Sequence, residues 1–303
     1  MNFQSAVPNA TVRVNVYRPS ETLQSYVTFF YSVEADAPLA DFLYPEWGNV
    51  RFARSGTWSV AMPGFYPPGP QERHLFGPTD CTGEVVTAGG QLFGFGLTPL
   101  GWQRLFGGHA DDMTNRVVPL GNLLGVPGEE LQKWVLEAAG DLRLVRRFKE
   151  LIESLIARGP PIERNVLAVD QAFRLRPPTV AEFARLAGLG DRTLHRVCLR
   201  VFGFAPKRLL RLQRFLDSLG HMRSAVGGSI DEGLGAAYYD AAHFYRDFRG
   251  FMGMTPRKYQ SVPRPLMAAA AKAQMSAGIT LSFELPPTIG AASEHASANV
   301  RSG

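Results

Sequence analysis

Cysteine is nearly absent from this chain, and so is any long apolar run. Two cysteines, Cys81 and Cys198, are too few for a disulfide framework. No run of about 18 apolar residues occurs, so no membrane-spanning helix is expected. The first thirty residues lack the basic start and apolar stretch of a secretory signal. A reducing, cytoplasmic setting fits all three. Histidine is also sparse: none of the six pairs at metal-ligand spacing. His109 lies near Asp111 and Asp112 but has no nucleophile motif beside it, and reads as part of a solvated loop. The stretch "AGGQLFGFG" lacks both the Gly-Lys-Ser/Thr of a phosphate loop and the helix of a dinucleotide site, so a turn or bulge is the better reading. No catalytic residue, metal or cofactor is expected.

What is there suggests two domains. The chain has 303 residues, and 45% of them are hydrophobic, enough for a sizeable core. Between about Arg13 and Pro99, short β-branched and aromatic runs alternate with Gly and Pro. "RVNVY", "YVTFFYSVE", "WGNVRFA", "TWSVAM", "GEVVTAG" and "QLFGFGL" read as strands. "EELQKWVLEAAG" and "DLRLVRRFKELIESLIARG" read as helices. In the second, Leu144, Phe148, Leu151, Ile152 and Leu155 form an apolar stripe, and Asp141 can cap the start. The expected class is α+β: a β-rich barrel or sandwich over 1–125, a helical linker over 126–162, an all-α domain over 163–262, and a flexible Ala-, Ser- and Pro-rich tail over 263–303.

The net charge of +5 is unevenly placed. Residues 163–260 carry 16 Lys and Arg against 9 Asp and Glu, and the remainder 16 against 18. A basic block of this kind is the footprint of a nucleic-acid-binding domain, or else a merely solvated basic surface.

The same block contains a repeat with a period of 50 residues. Thr179-x-x-Glu182 returns as Ser229-x-x-Glu232, both capping boxes. Val180, Phe183, Ala184 and Ala187 return as Ile230, Gly233, Leu234 and Ala237. The stripe of Leu194, Val197, Cys198, Val201 and Phe202, which would bury Cys198, returns as Phe244, Phe248, Phe251 and Met252. "GFAPKR" returns as "GMTPRK", with Gly as a left-handed cap and Pro as a stop. Each unit is a short helix, a tight turn and a second amphipathic helix. That is the pattern of a helix-turn-helix, whose second helix enters the DNA major groove. The second helices are expected at Asp191–Phe202 and Ala241–Met252. With the stripes buried, Arg192, Thr193, His195, Arg196 and Arg200 fall on the free face of the first. Ala241, Ala242, His243, Tyr245, Arg246 and Arg249 fall on that of the second.

Residues 165–260 resemble the DNA-binding domain of the AraC/XylS family of bacterial transcription regulators. "YYDAAHFYRDFRGFMGMTPRKY" carries the family signature, and "GLGDRTLHRVCLRVFGFAPKRLLRLQRF" matches the first module. The resemblance implies a long connecting helix, fitted by Lys207–Gly220, that sets the modules about one DNA turn apart. It also implies base reading by Arg192, His195 and Arg196. The second module departs from the pattern. Gly233 and Gly235 weaken its first helix by roughly 1 kcal/mol each. Ala237 replaces a glycine, and Ala241 stands where the family often has Gln. Alanine can touch a thymine methyl but cannot hydrogen-bond a base edge. This module is therefore expected to supply affinity more than sequence reading.

"GFGLTPLGWQRLFGGHADDMTNRVVPLGNLLG" resembles the end of a sensor domain found on some of these regulators. The resemblance implies effector binding, dimerisation or both. Trp47, Phe52, Trp58, Phe65 and Tyr66 either line a pocket or form core. The expected partners are double-stranded DNA, with a small-molecule effector, RNA polymerase and a second copy as further candidates, and no membrane. An enzyme domain fused to a DNA-targeting module and an effector-independent DNA binder are the alternatives.

Overall fold

A computed structural model describes residues 10–64, 72–123, 125–159, 161–224, 238 and 240–279. Seven strands make one antiparallel sheet: β1 (Val12–Tyr17), β2 (Val27–Ala35), β3 (Leu39–Leu43), β4 (Asn49–Ala61), β5 (Arg73–Phe76), β6 (Gly83–Leu97) and β7 (Val117–Pro119). Their order is β1-β2-β6-β4-β5-β7, with β3 paired to the first half of β6. Two pairs of expected strands are in fact single long ones. "WGNVRFA" and "TWSVAM" run together as β4, and "GEVVTAG" and "QLFGFGL" as β6. The join is a bulged bend where Gly56 faces Gly90, with φ of +73° and +126°. A Cβ on Gly56 would lie 1.8 Å from the Gly89 carbonyl oxygen, so only glycine fits. The glycine-rich stretch is thus a bulge within a strand.

Side chains alternate across the sheet. On one face Val50, Phe52, Phe93 and Phe95, with Trp102 of α1 (Pro99–Leu105), meet α2 (Gly128–Glu137) and α3 (Asp141–Arg158). The Phe148 ring sits 5.4–5.5 Å from the rings of Phe52, Phe93 and Phe95. The helices expected to form a linker therefore complete the N-terminal core, because a wide apolar stripe needs a surface to cover. Asp141 does not cap its own helix. Its carboxylate accepts hydrogen bonds from Tyr17 and Ser32 at 3.0 and 2.6 Å and from Arg54 at 2.8 Å, tying α3 to the sheet.

The C-terminal domain contains α4 (Arg164–Arg174), α5 (Val180–Ala187), α6 (Asp191–Phe202), α7 (Pro206–Ser224), α8 (Ala241–Met252) and α9 (Pro256–Ser261). The Thr179 hydroxyl caps α5 by accepting from Glu182 N at 3.1 Å, while the Glu182 carboxylate is held by Arg185. The matching Ser229–Ala237 segment lies outside the described residues. Gly203 and Gly253 end α6 and α8 in the left-handed conformation. Pro206 and Pro256 open the following helices rather than simply stopping the preceding ones.

The tail reading is corrected over its first part. Residues Pro265–Ser276 form a helix, α10, that lies against β1 and β3 on the second face of the sheet. Leu266 is buried there, and Met267 N donates to Asp41 Oδ2 at 3.0 Å. Arg18 donates to the carbonyls of Ala277 and Gly278, at 2.6 and 3.1 Å. An alanine-rich composition does not reveal that a nearby sheet offers a surface on which small side chains can lie close. Residues 280–303 are outside the described set.

Burial pushes the Asp41 carboxyl up to about 6, against the lowering effect of bonds from Met267 and Phe42 N–H. The folded state then holds a proton that the unfolded chain has released, so stability falls as pH rises from about 4 to about 6. Asp41→Asn is expected to flatten this fall. Melting curves across that range with equal slopes for both proteins would refute it.

Candidate functional site

The apolar stripes on α6 and α8 dictate what is left outside. Leu194, Val197, Cys198, Val201 and Phe202 are buried, as are Phe244, Phe248, Phe251 and Met252. Between them Arg192, His195 and Arg196 stand exposed on α6, with Thr193 half-buried. Ala241, Ala242, Tyr245, Arg246 and Arg249 stand exposed on α8. Two expected contacts sit differently. Arg200 is half-buried and donates to Glu163 at 2.7 Å, which lowers the Glu163 pKa. His243 is half-buried, its ring edge-on to Tyr238.

Asp247, on the inner side of α8, is fully buried. It accepts from Arg211 of α7 and from the Tyr238 hydroxyl at 2.9 Å. This ties α8 to the connecting helix. Asp247 is not among the residues that the apolar stripe and the exposed face single out.

The N-terminal domain touches the C-terminal ends of both exposed helices. The Thr114 hydroxyl donates to Gly203 O at 2.9 Å, at the cap of α6, and Pro78 packs beside that glycine. Thr82 donates its N–H to Phe251 O at 3.0 Å and its hydroxyl to Met252 O at 3.2 Å, at the end of α8. The hydroxyls of Tyr44 and Tyr259 share a hydrogen bond of 2.7 Å. Trp47 is buried between the domains, its ring 6.1 Å from Phe173 and 5.6 Å from Phe202.

A cavity of about 90 Å³ lies between the sheet and α10. On β4, Val50 and Phe52 point to the helical core, so Asn49 and Arg51 point the other way and line the cavity. The rest is mostly apolar, including Phe29, Phe76, Val85, Leu92 and Leu266. Arg51 is paired with Glu46 and donates from Nε to Tyr31 Oη at 2.8 Å. The Tyr31 hydroxyl donates to Asn49 Oδ1 at 2.8 Å, and Asn49 Nδ2 donates to Glu46 at 3.1 Å. Burial raises the Glu46 pKa, against the pull of Arg51. Burial, and secondly Arg51, push His74 down to about 4.

Of the five aromatic cavity candidates, Trp58 lines this space. Trp47 belongs to the interdomain core and Phe52 to the core under Phe148. Tyr66, like Phe65, lies outside the described residues. Glu46, Arg51 and His74 had not been singled out; the alternation of polar and apolar residues along "NVRF" was the available signal. Cys81 is half-buried, its thiol donating to Asn115 Oδ1 at 3.3 Å, and burial pushes it up to about 12. Burial also raises the Cys198 pKa. His109 is exposed, 3.3 Å from Asp111.

Residues 183–261 match the family model for a helix-turn-helix domain. The chain therefore carries an AraC-type helix-turn-helix domain at its C-terminal side, a module of DNA-binding transcription regulators. No curated protein matches the chain. Among solved structures it is similar to ToxT from Vibrio cholerae, at 10% identity over 82% of this chain and 98% of that one, with a TM-score of 0.42. It is also similar to unsaturated fatty acid bound ToxT, at 9% identity over 85% and 96%, with a TM-score of 0.41. A third is the AraC-like transcriptional activator CuxR, at 15% identity over 78% and 90%, with a TM-score of 0.33. Among the described residues no helix is long and apolar enough to cross a membrane.

Proposed function

We propose that this chain regulates transcription by reading DNA with α6 and α8, under the control of a small molecule held between the N-terminal sheet and α10. One observation carries the reading. The domain that holds the cavity also bonds to the C-terminal ends of both exposed helices, through Thr114 and Thr82. A ligand that shifts the sheet therefore bears directly on the placement of two DNA-reading elements.

On α6, Arg192, His195 and Arg196 are the base readers, since arginine can address guanine O6 and N7 together. On α8, Ala241 and Ala242 leave no base-edge donor at the front of the helix, and Arg246 and Arg249 meet phosphate. Arg196→Ala is expected to cost about 1–3 kcal/mol on the cognate site and to relax preference at one or two base pairs. Arg246→Ala is expected to weaken all sequences about equally and to lower the salt slope by roughly one counterion. Binding of both variants to cognate and scrambled duplexes over a salt series tests this. A loss confined to the cognate site for Arg246→Ala would make α8 a sequence reader, and no loss in either variant would move the interface elsewhere.

A further inference from the structure

The cavity's chemistry narrows what can occupy it, granted that it is the effector site. Its walls are mostly apolar, and Arg51 is the one Lys or Arg side chain among its described lining residues. That charge is already matched. Glu46 neutralises it, Tyr31 takes Nε–H, and its guanidinium lies over the Phe76 ring at 4.0 Å. An incoming carboxylate would meet the half-buried Glu46, already paired with Arg51, and find no spare cation. Desolvating such an unpaired charge is strongly unfavourable.

Two polar groups on the walls do lack partners. Trp58 Nε1 and His74 Nε2 are buried without a hydrogen bond, and the two residues are only 3% and 4% exposed. A buried polar atom left without a partner is unfavourable, and a ligand oxygen accepting from Trp58 Nε1–H, or a ligand hydroxyl paired with His74 Nε2, would satisfy it. At roughly 10–15 Å³ per water, the space holds several waters or one small organic molecule.

We infer that the cavity binds a small uncharged amphiphile: an aromatic or short hydrocarbon body bearing a carbonyl, ester or hydroxyl oxygen that pairs with Trp58 Nε1 or His74 Nε2. The Glu46–Arg51 pair excludes the corresponding acids. Leu266, Met267, Ala270 and Gln274 of α10 form the wall across from the sheet, so the ligand packs directly against the helix that follows the second DNA-reading module.

The test uses the full chain and matched probes at neutral pH. Methyl octanoate and 1-octanol are compared with octanoate, and acetophenone and methyl benzoate with benzoate, by thermal shift and calorimetric titration. The neutral members are expected to bind at least about tenfold more tightly than their acids. Trp58→Phe keeps the ring and removes the N–H, and His74→Phe removes the imidazole nitrogens. At least one should lower affinity for the neutral probes by about three- to tenfold, the loss of one hydrogen bond. Equal or tighter binding of the acids overturns the ligand class but leaves the effector reading standing. Unchanged affinity in both variants overturns the assigned hydrogen bonds. If no probe of either kind binds, the cavity is not a site for such molecules and this inference falls, while the effector reading still rests on the Thr114 and Thr82 contacts.

Discussion

Trp47→Ala is expected to lower stability by about 3–5 kcal/mol and to split one melting transition into two. The size follows from removing a large buried aromatic side chain from a packed core. The splitting follows from its position. Trp47 comes from the N-terminal domain but packs edge-on against Phe173 and Phe202 of the first DNA-reading module, in a core shared by the two halves. Each half also has apolar packing of its own, around Phe148 on one side and Phe215 and Phe248 on the other. Differential scanning calorimetry of the full chain is the measurement. A single transition at the wild-type temperature would show that the two halves are coupled through other contacts. DNA affinity of the variant at low salt should stay close to wild type, because α6 and α8 keep their exposed faces.

Truncation after Val262 is expected to destabilise the N-terminal domain by several kcal/mol and to open its cavity to solvent. It removes Leu266, whose burial alone is worth roughly 1.5–3 kcal/mol, and with it a wall over Phe29, Trp58 and Phe76. It also removes Met267, which bonds to Asp41, and Ala277 and Gly278 just past α10, which bond to Arg18. A truncation after Ile279 is the control, since it keeps α10 whole. The expected result is a clear fall in melting temperature and new binding of a hydrophobic dye for the shorter chain only. Equal melting temperatures in the two truncated chains would mean that α10 contributes nothing to the fold.

Helices α6 and α8 were the most legible part of the sequence. A 3.6-residue stripe of Leu194, Val197, Cys198, Val201 and Phe202, closed by Gly203, gives both ends of α6, and its repeat gives α8. Everything needed is local: the stripe, the cap and the turn. Strand continuity was less legible. Gly56 and Gly90 look like chain breaks until their pairing across β4 and β6 is known, because the bulge depends on a contact between residues far apart in sequence. The role of α3 failed for a similar reason, since an apolar stripe says that a helix packs but not on what. The docking of α10 was the hardest to foresee. Its alanines carry little periodic signal, and its order comes from a sheet that lies more than two hundred residues earlier. In the cavity, the order of "NVRF" holds the information, yet Arg51 reads as a surface charge until Glu46 is placed against it.

The segment from Pro78 to Thr82 lies beside the closing glycine of α6 and bonds to the last residues of α8. Two helices joined only by a connecting helix would have some freedom to slide or roll relative to one another. With this segment touching both ends, the proposed reading has the N-terminal half hold the two helices at a set separation, as on a ruler. Half-sites on B-DNA fall one helical turn apart, about 34–36 Å, and one added base pair both lengthens the gap and rotates the next groove out of phase. A protein whose gauge is set by its sensor half would discriminate promoters by the spacing of their half-sites as well as by their bases. A ligand that reset the gauge would then change which promoters are occupied, rather than merely how tightly one of them is held.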